Sequence, residues 1–76
     1  MKSSMTDLVA LNRLIEDGGL KKTYIAEKLD MSYQALLNKL KEGGPEFTAY
    51  EMHVLKEIFH MDDEQWMEIF FSAKAD

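Results

Sequence analysis

Three features of the sequence predict an all-α fold: five short helices in a single domain covering residues 1–76. Apolar residues recur at three- and four-residue intervals, the spacing of one helix face, and no stretch alternates apolar with polar as a half-buried strand does. Two glycine-bearing breaks, at Gly18 and Gly19 and again at Gly43, Gly44 and Pro45, divide the chain into segments of helix length. Two stretches of the second half, FTAYEM and MDDEQW, carry one and the same helix-start pattern. No internal sequence repeat or low-complexity run competes with this reading.

The first helix is expected at about 7–17, capped by Thr6, with Leu8, Leu11, Leu14 and Ile15 as its apolar stripe and the two glycines as its stop. Leu20 then packs beneath the next turn. A second helix follows at about 22–29 and a third at about 32–41, the latter capped by Ser32 and ended by the Gly-Gly-Pro loop. Thr48 and Glu51 are spaced as a capping box, with Phe47 and Met52 as its staple, so the fourth helix is placed at about 49–60. Asp62, Gln65, Met61 and Trp66 repeat the arrangement for a fifth helix at about 63–71. Met52, Leu55 and Phe59 supply the stripe of the fourth, and Trp66, Ile69 and Phe70 that of the fifth.

A chain of 76 residues buries only about 60% of its unfolded surface, so its core must be efficient or be supplemented by association. The absence of cysteine removes a disulfide framework and a thiolate zinc cluster, and fits a reducing compartment. MKSSMTD holds no apolar run resembling a leader, and no segment reaches the length of a membrane span, so a soluble cytoplasmic protein is expected. The formal charge of −5 is unevenly spread. Residues 21–41 carry five lysines against two acids, a balance of +3, whereas residues 42–76 carry two lysines against nine acids, −7. One basic face on an acidic body follows.

The basic segment, KTYIAEKLDMSYQALLNKLK from Lys22 to Lys41, reads as helix, tight turn and helix. Small Ala26 lies where crossing helices approach closely; Ile25, Leu29 and Met31 add apolar contacts, and Leu36 and Leu40 repeat at the i, i+4 spacing. This pattern, most specific at IAEKLDMS, resembles the helix-turn-helix of the phage repressor and Cro family, and the likeness extends over nearly the whole chain. The resemblance implies a compact lambda-repressor-like domain whose helix-turn-helix is made by the second and third helices. In it Ala26 is the helix-crossing residue, Asp30 the turn residue, Met31 the turn anchor and Leu36 the core contact of the recognition helix. The chain departs from the family at three positions: Lys21 where a Thr or Ser cap is usual, Asp30 where glycine is usual, and Lys39 where an apolar residue is common.

Carried over position by position, the resemblance makes Tyr33, Gln34 and Asn38 the base-reading residues, and Leu37, which lies near them, either joins them or extends the core. Gln and Asn amides match the N6 and N7 edge of adenine, and leucine can touch a thymine methyl. Lys21, Lys22, Ser32, Lys39 and Lys41 are the expected phosphate contacts, which position a reader without specifying sequence. Trp66, Ile69, Phe70 and Phe71 place more large apolar surface on one short helix than a single stripe hides, and are the expected dimer contact.

His53, Glu57 and His60 fall at i, i+4 and i+7, where imidazole and carboxylate can ligate a metal, but a fourth ligand is not evident and a solvated face explains them equally. No cysteine nucleophile, glycine-rich phosphate loop or Ser, His and Asp grouping points to catalysis, so neither an enzyme nor a cofactor is expected. The leading expectation is a sequence-specific regulator of the repressor or Cro type, from a phage or mobile element, bound as a homodimer to an inverted repeat in double-stranded DNA. The alternative is a helical protein-interaction module, such as an antitoxin or anti-repressor partner, that uses its acidic half.

Overall fold

The structure, a computed structural model, describes residues 6–71. The leader reading of the first five residues, and the charges of Lys2, Lys74 and Asp76, lie outside the described residues. Five helices are formed: α1 (Leu8–Gly18), α2 (Lys22–Lys28), α3 (Tyr33–Lys39), α4 (Ala49–Ile58) and α5 (Asp63–Phe70). There is no strand among the described residues. Each helix sends one side chain into the centre: Leu11, Ile25, Leu36, Leu55 and Phe70 are the largest fully buried residues. Fully burying a side chain of this kind stabilises by about 1.5–3 kcal/mol, so these five carry much of the fold.

The cap of α1 is Asp7 and not Thr6. The Ala10 amide donates to Asp7 Oδ1 at 3.0 Å, while Thr6, one residue earlier, is buried. The Asp7 amide donates in turn to the Ile69 carbonyl at 2.6 Å and fixes the start of α1 against α5. At the other end, Gly19 takes a left-handed φ of 78°, which glycine adopts without a Cβ penalty.

Both later helices start where their spacing predicts, the fourth with a full capping box and the fifth with the Asp62 cap alone. Thr48 and Glu51 make a reciprocal capping box, with the Glu51 amide on Thr48 Oγ1 at 3.1 Å and the Thr48 amide on Glu51 Oε1 at 2.9 Å. Asp62 Oδ1 accepts from the Gln65 amide at 2.8 Å. The ends of α2 to α5 fall one or two residues inside the expected limits, because Leu29, Leu40, Phe59 and Phe71 serve as C-caps.

One turn geometry occurs twice. Asp30 has φ 61°; its amide donates to the Glu27 carbonyl, and the Met31 amide reaches back to Ala26, closing the end of α2. At the end of α4, His60 has φ 54°, with its amide on Glu57 and the Met61 amide on Lys56. Leu29-Asp30-Met31-Ser32 and Phe59-His60-Met61-Asp62 thus solve the same problem: apolar cap, left-handed residue, Met anchor, and the N-cap of the next helix.

Two polar bonds lock helices that packing alone would leave free to slide. Asn12 Nδ2 donates to the Leu8 carbonyl at 2.9 Å and to the Leu40 carbonyl at 3.1 Å, tying α1 to the end of α3. Trp66 Nε1 donates to the Met52 carbonyl at 3.1 Å, tying α5 to the first turn of α4. No helix among the described residues is long and apolar enough to cross a membrane.

Candidate nucleic-acid interface

Helices α2 and α3 pack on one another through a turn whose residues all have a physical role. Ala26 is 2% exposed, so its methyl group is the whole of the side chain that fits there. Ile25, Leu29 and Leu36 are buried beside it. Asp30 occupies the left-handed position, and Ser32 Oγ accepts from the Ala35 amide at 3.0 Å to start α3. A serine that accepts one bond keeps its own proton to donate.

With Leu36 and Leu40 turned inward, α3 presents its polar residues outward. Tyr33 is 48% exposed and Gln34 is exposed, while Leu37 and Asn38 are half-buried at the margin of the face. Gln34 Nε2 donates to Asn38 Oδ1 at 3.3 Å, so the two amides lie together on one side of the helix. Lys21, the N-cap of α2, makes no side-chain capping bond and is exposed; Lys22 is half-buried and Lys41 exposed. The Lys28 ammonium lies over the exposed Tyr24 ring at 5.5 Å.

Lys39, an expected phosphate contact, has partners within the chain. Its Nζ pairs with Glu51 Oε1 at 3.2 Å, with both side chains 15% exposed, and donates to the Glu46 carbonyl at 2.9 Å. It also sits 5.8 Å from the centre of the Phe47 ring. The ammonium is therefore spent on joining the end of α3 to the start of α4. Nothing local signals this, because Lys39 and Glu51 are brought together only by the intervening loop. That loop folds tightly: a Cβ on Gly44 would stand 1.8 Å from the Asn38 carbonyl oxygen.

The expected dimer contact divides. Ile69 is 5% exposed and Phe70 is fully buried, so both serve the core of the single chain and offer no surface. Trp66 is half-buried, with the His53 ring 4.9 Å away, the Lys56 ammonium 5.1 Å from its centre, and Phe71 edge-on at 5.4 Å. Phe71 is 40% exposed. Met67 and Tyr50 are also exposed, and neither lies on the apolar stripe of its helix.

The histidine face belongs to the end of α4. Helix α4 ends at Ile58, and His60 lies beyond it with a left-handed φ of 54°. Among the described residues, no three His, Cys, Asp or Glu side chains are grouped to hold a metal ion. Lys56 instead pairs with Asp63, whose carboxyl it holds below the usual aspartate range through its hydrogen bond and its charge.

No family model, no curated protein and no solved structure matches the chain.

Proposed function

We propose that this protein is a sequence-specific double-stranded DNA-binding regulator of the repressor or Cro type, working in the cytoplasm of a cell that carries a phage or mobile element. The observation that carries the reading is the α2–α3 unit: a buried alanine at the helix crossing, a left-handed residue in the turn, and an outward polar face on α3. In this reading α3 lies in the major groove. Tyr33, Gln34, Leu37 and Asn38 meet base edges, and Lys21, Lys22, Lys41 and the Ser32 hydroxyl hold phosphates. A reader this small gains the affinity that regulation needs by pairing, and half-buried Trp66 with exposed Phe71 and Met67 offer apolar surface on α5 and its C-cap for a homodimer.

The test compares Gln34→Ala and Lys22→Ala on a selected duplex and a scrambled one across a salt series. Loss of Gln34 should cost about 1–3 kcal/mol on the selected duplex and little on the scrambled one. Loss of Lys22 should weaken both, and flatten the salt slope by about 0.9 for each lost phosphate contact. Equal losses on both duplexes from both variants, with folding intact, remove α3 as the reading head. That outcome favours the second reading, a protein-interaction module. Its supporting observation is the acidic α4–α5 surface, where Tyr50, Met67 and Phe71 stand exposed.

A further inference from the structure

The outward side of α5 carries a stripe that the core leaves unused. Glu64, Met67, Glu68 and Phe71 fall at i, i+3, i+4 and i+7, and all four are exposed, Met67 at 52% and Phe71 at 40%. Ile69 and Phe70 are turned into the core from the other side of the helix. Phe71 stays in helical register although it is the C-cap: its amide donates to the Met67 carbonyl at 2.9 Å, and its ring stands edge-on to Trp66 at 5.4 Å. Trp66 is itself held by its bond to the Met52 carbonyl. An aromatic fixed in this way loses little freedom on binding, and the flexible thioether beside it adapts to the shape that covers it.

The charges on the stripe decide what covers it. Neither Glu64 nor Glu68 has an ion pair among the described residues, and Lys56, the lysine of α4, is engaged by Asp63. A second copy docking here sets the same patch against itself, because a twofold contact is isologous, so glutamates meet glutamates. A segment with lysine or arginine beside its apolar residues meets no such repulsion. An amphipathic helix supplies both kinds of residue at the spacing the stripe presents.

We infer that the α5 stripe is a docking site for a basic amphipathic helix of another protein, with Met67 and Phe71 as the apolar anchors and Glu64 and Glu68 as the charged rim. For the homodimer of the DNA-reading proposal the same surface is then a point of regulation, since such a helix and a second copy exclude one another. That consequence rests on the proposal above, whereas the docking does not.

The probe is a synthetic helix of about four turns with leucines along one stripe and lysines beside them, and its control has the same residues in scrambled order. Trp66 is the sole tryptophan of the chain and stands against Phe71, so its emission reports docking at this face. In titrations of the full chain at one salt concentration, the ordered peptide should shift that emission and bind at least about tenfold more tightly than the scrambled one. Met67→Asn should weaken the ordered peptide about tenfold. Glu68→Lys should weaken it about fivefold, while Glu27→Lys, the same charge change at an exposed position of α2, should leave it unchanged. Absence of binding, equal binding of the scrambled peptide, or equal losses from Glu68→Lys and Glu27→Lys overturns the docking site. Sedimentation equilibrium with saturating peptide then tests the regulation. A peptide-bound monomer where the protein by itself forms a dimer supports it, and a dimer that retains the peptide overturns it. A chain that binds the peptide and never dimerises supports the docking and counts against the homodimer reading alone.

Discussion

Asp30 and His60 hold the same left-handed backbone for the same reason, and both have a Cβ that crowds it. Glycine would remove that crowding at the expense of a freer unfolded chain. Asp30→Gly and His60→Gly should each stabilise by up to about 1 kcal/mol, read as a raised urea midpoint at unchanged slope. A lowered midpoint for either would mean that its side chain makes a bond the turn depends on. Asp30 was legible because the turn motif names its position, whereas His60 was not, since histidine is no turn signal and the cue was the pattern of its neighbours. The Lys39–Glu51 pair was hidden for a related reason: in the sequence Lys39 is one more lysine of a basic segment, and only the loop reveals Glu51 beside it. Lys39→Met should therefore destabilise by about 1–2 kcal/mol, through the pair and the hydrogen bond it leaves unmade. It should leave the salt slope of DNA binding unchanged, and a slope flattened as by loss of Lys22 would restore Lys39 as a phosphate contact.

Helix boundaries were the most legible feature because caps are local. Thr48 with Glu51, and Asp62 with Gln65, lie within one turn of each other in sequence as in space. Even so, Asp7 displaced Thr6 as the cap of α1, since which of two adjacent cap formers is used depends on which is buried. The division of the α5 aromatics was also hidden. A stripe gives the side of a helix, but how deep Phe70 sits follows from Phe47, whose ring meets it edge-on at 6.2 Å. The link between α4 and α5 adds a pH dependence. Lys56 lowers the Asp63 carboxyl pKa in the folded state, so that group's contribution is present above the ordinary aspartate pKa and is lost as pH falls through the lowered one. In thermal melts, the parent should lead Asp63→Asn at neutral pH and converge with it in acid below the usual aspartate range. A gap that stays constant down to that acid limit would assign the difference to the helix terminus or packing rather than to titration.

At the scale of the molecule, charge and apolar surface pull the protein in opposite directions. Lys21, Lys22 and Lys41 stand near α2 and α3, whereas α4 and α5 carry Lys56 against Glu51, Glu57, Asp62, Asp63, Glu64 and Glu68. Two copies joined through Trp66, Phe71 and Met67 would bring those acidic surfaces together. Salt screens that repulsion, with a Debye length of about 10 Å at 0.1 M, while it also weakens phosphate contacts. Self-association in the absence of DNA should therefore strengthen as salt rises, and binding to a single half-site should weaken. Sedimentation equilibrium and half-site titration over one salt series give the two trends separately. For the proposed homodimer on DNA, half-site centres about 34 Å apart, one helical turn, are expected, so that both α3 helices would enter the major groove on one face. Phe71→Asp should then abolish cooperative filling of the inverted repeat while half-site affinity stays close to that of the parent, because Phe71 lies in the C-terminal cap of α5, remote in sequence from the reading face. Unchanged cooperativity in that variant, or association that weakens with salt, would move the dimer contact away from α5 and leave its exposed aromatic surface to a different partner.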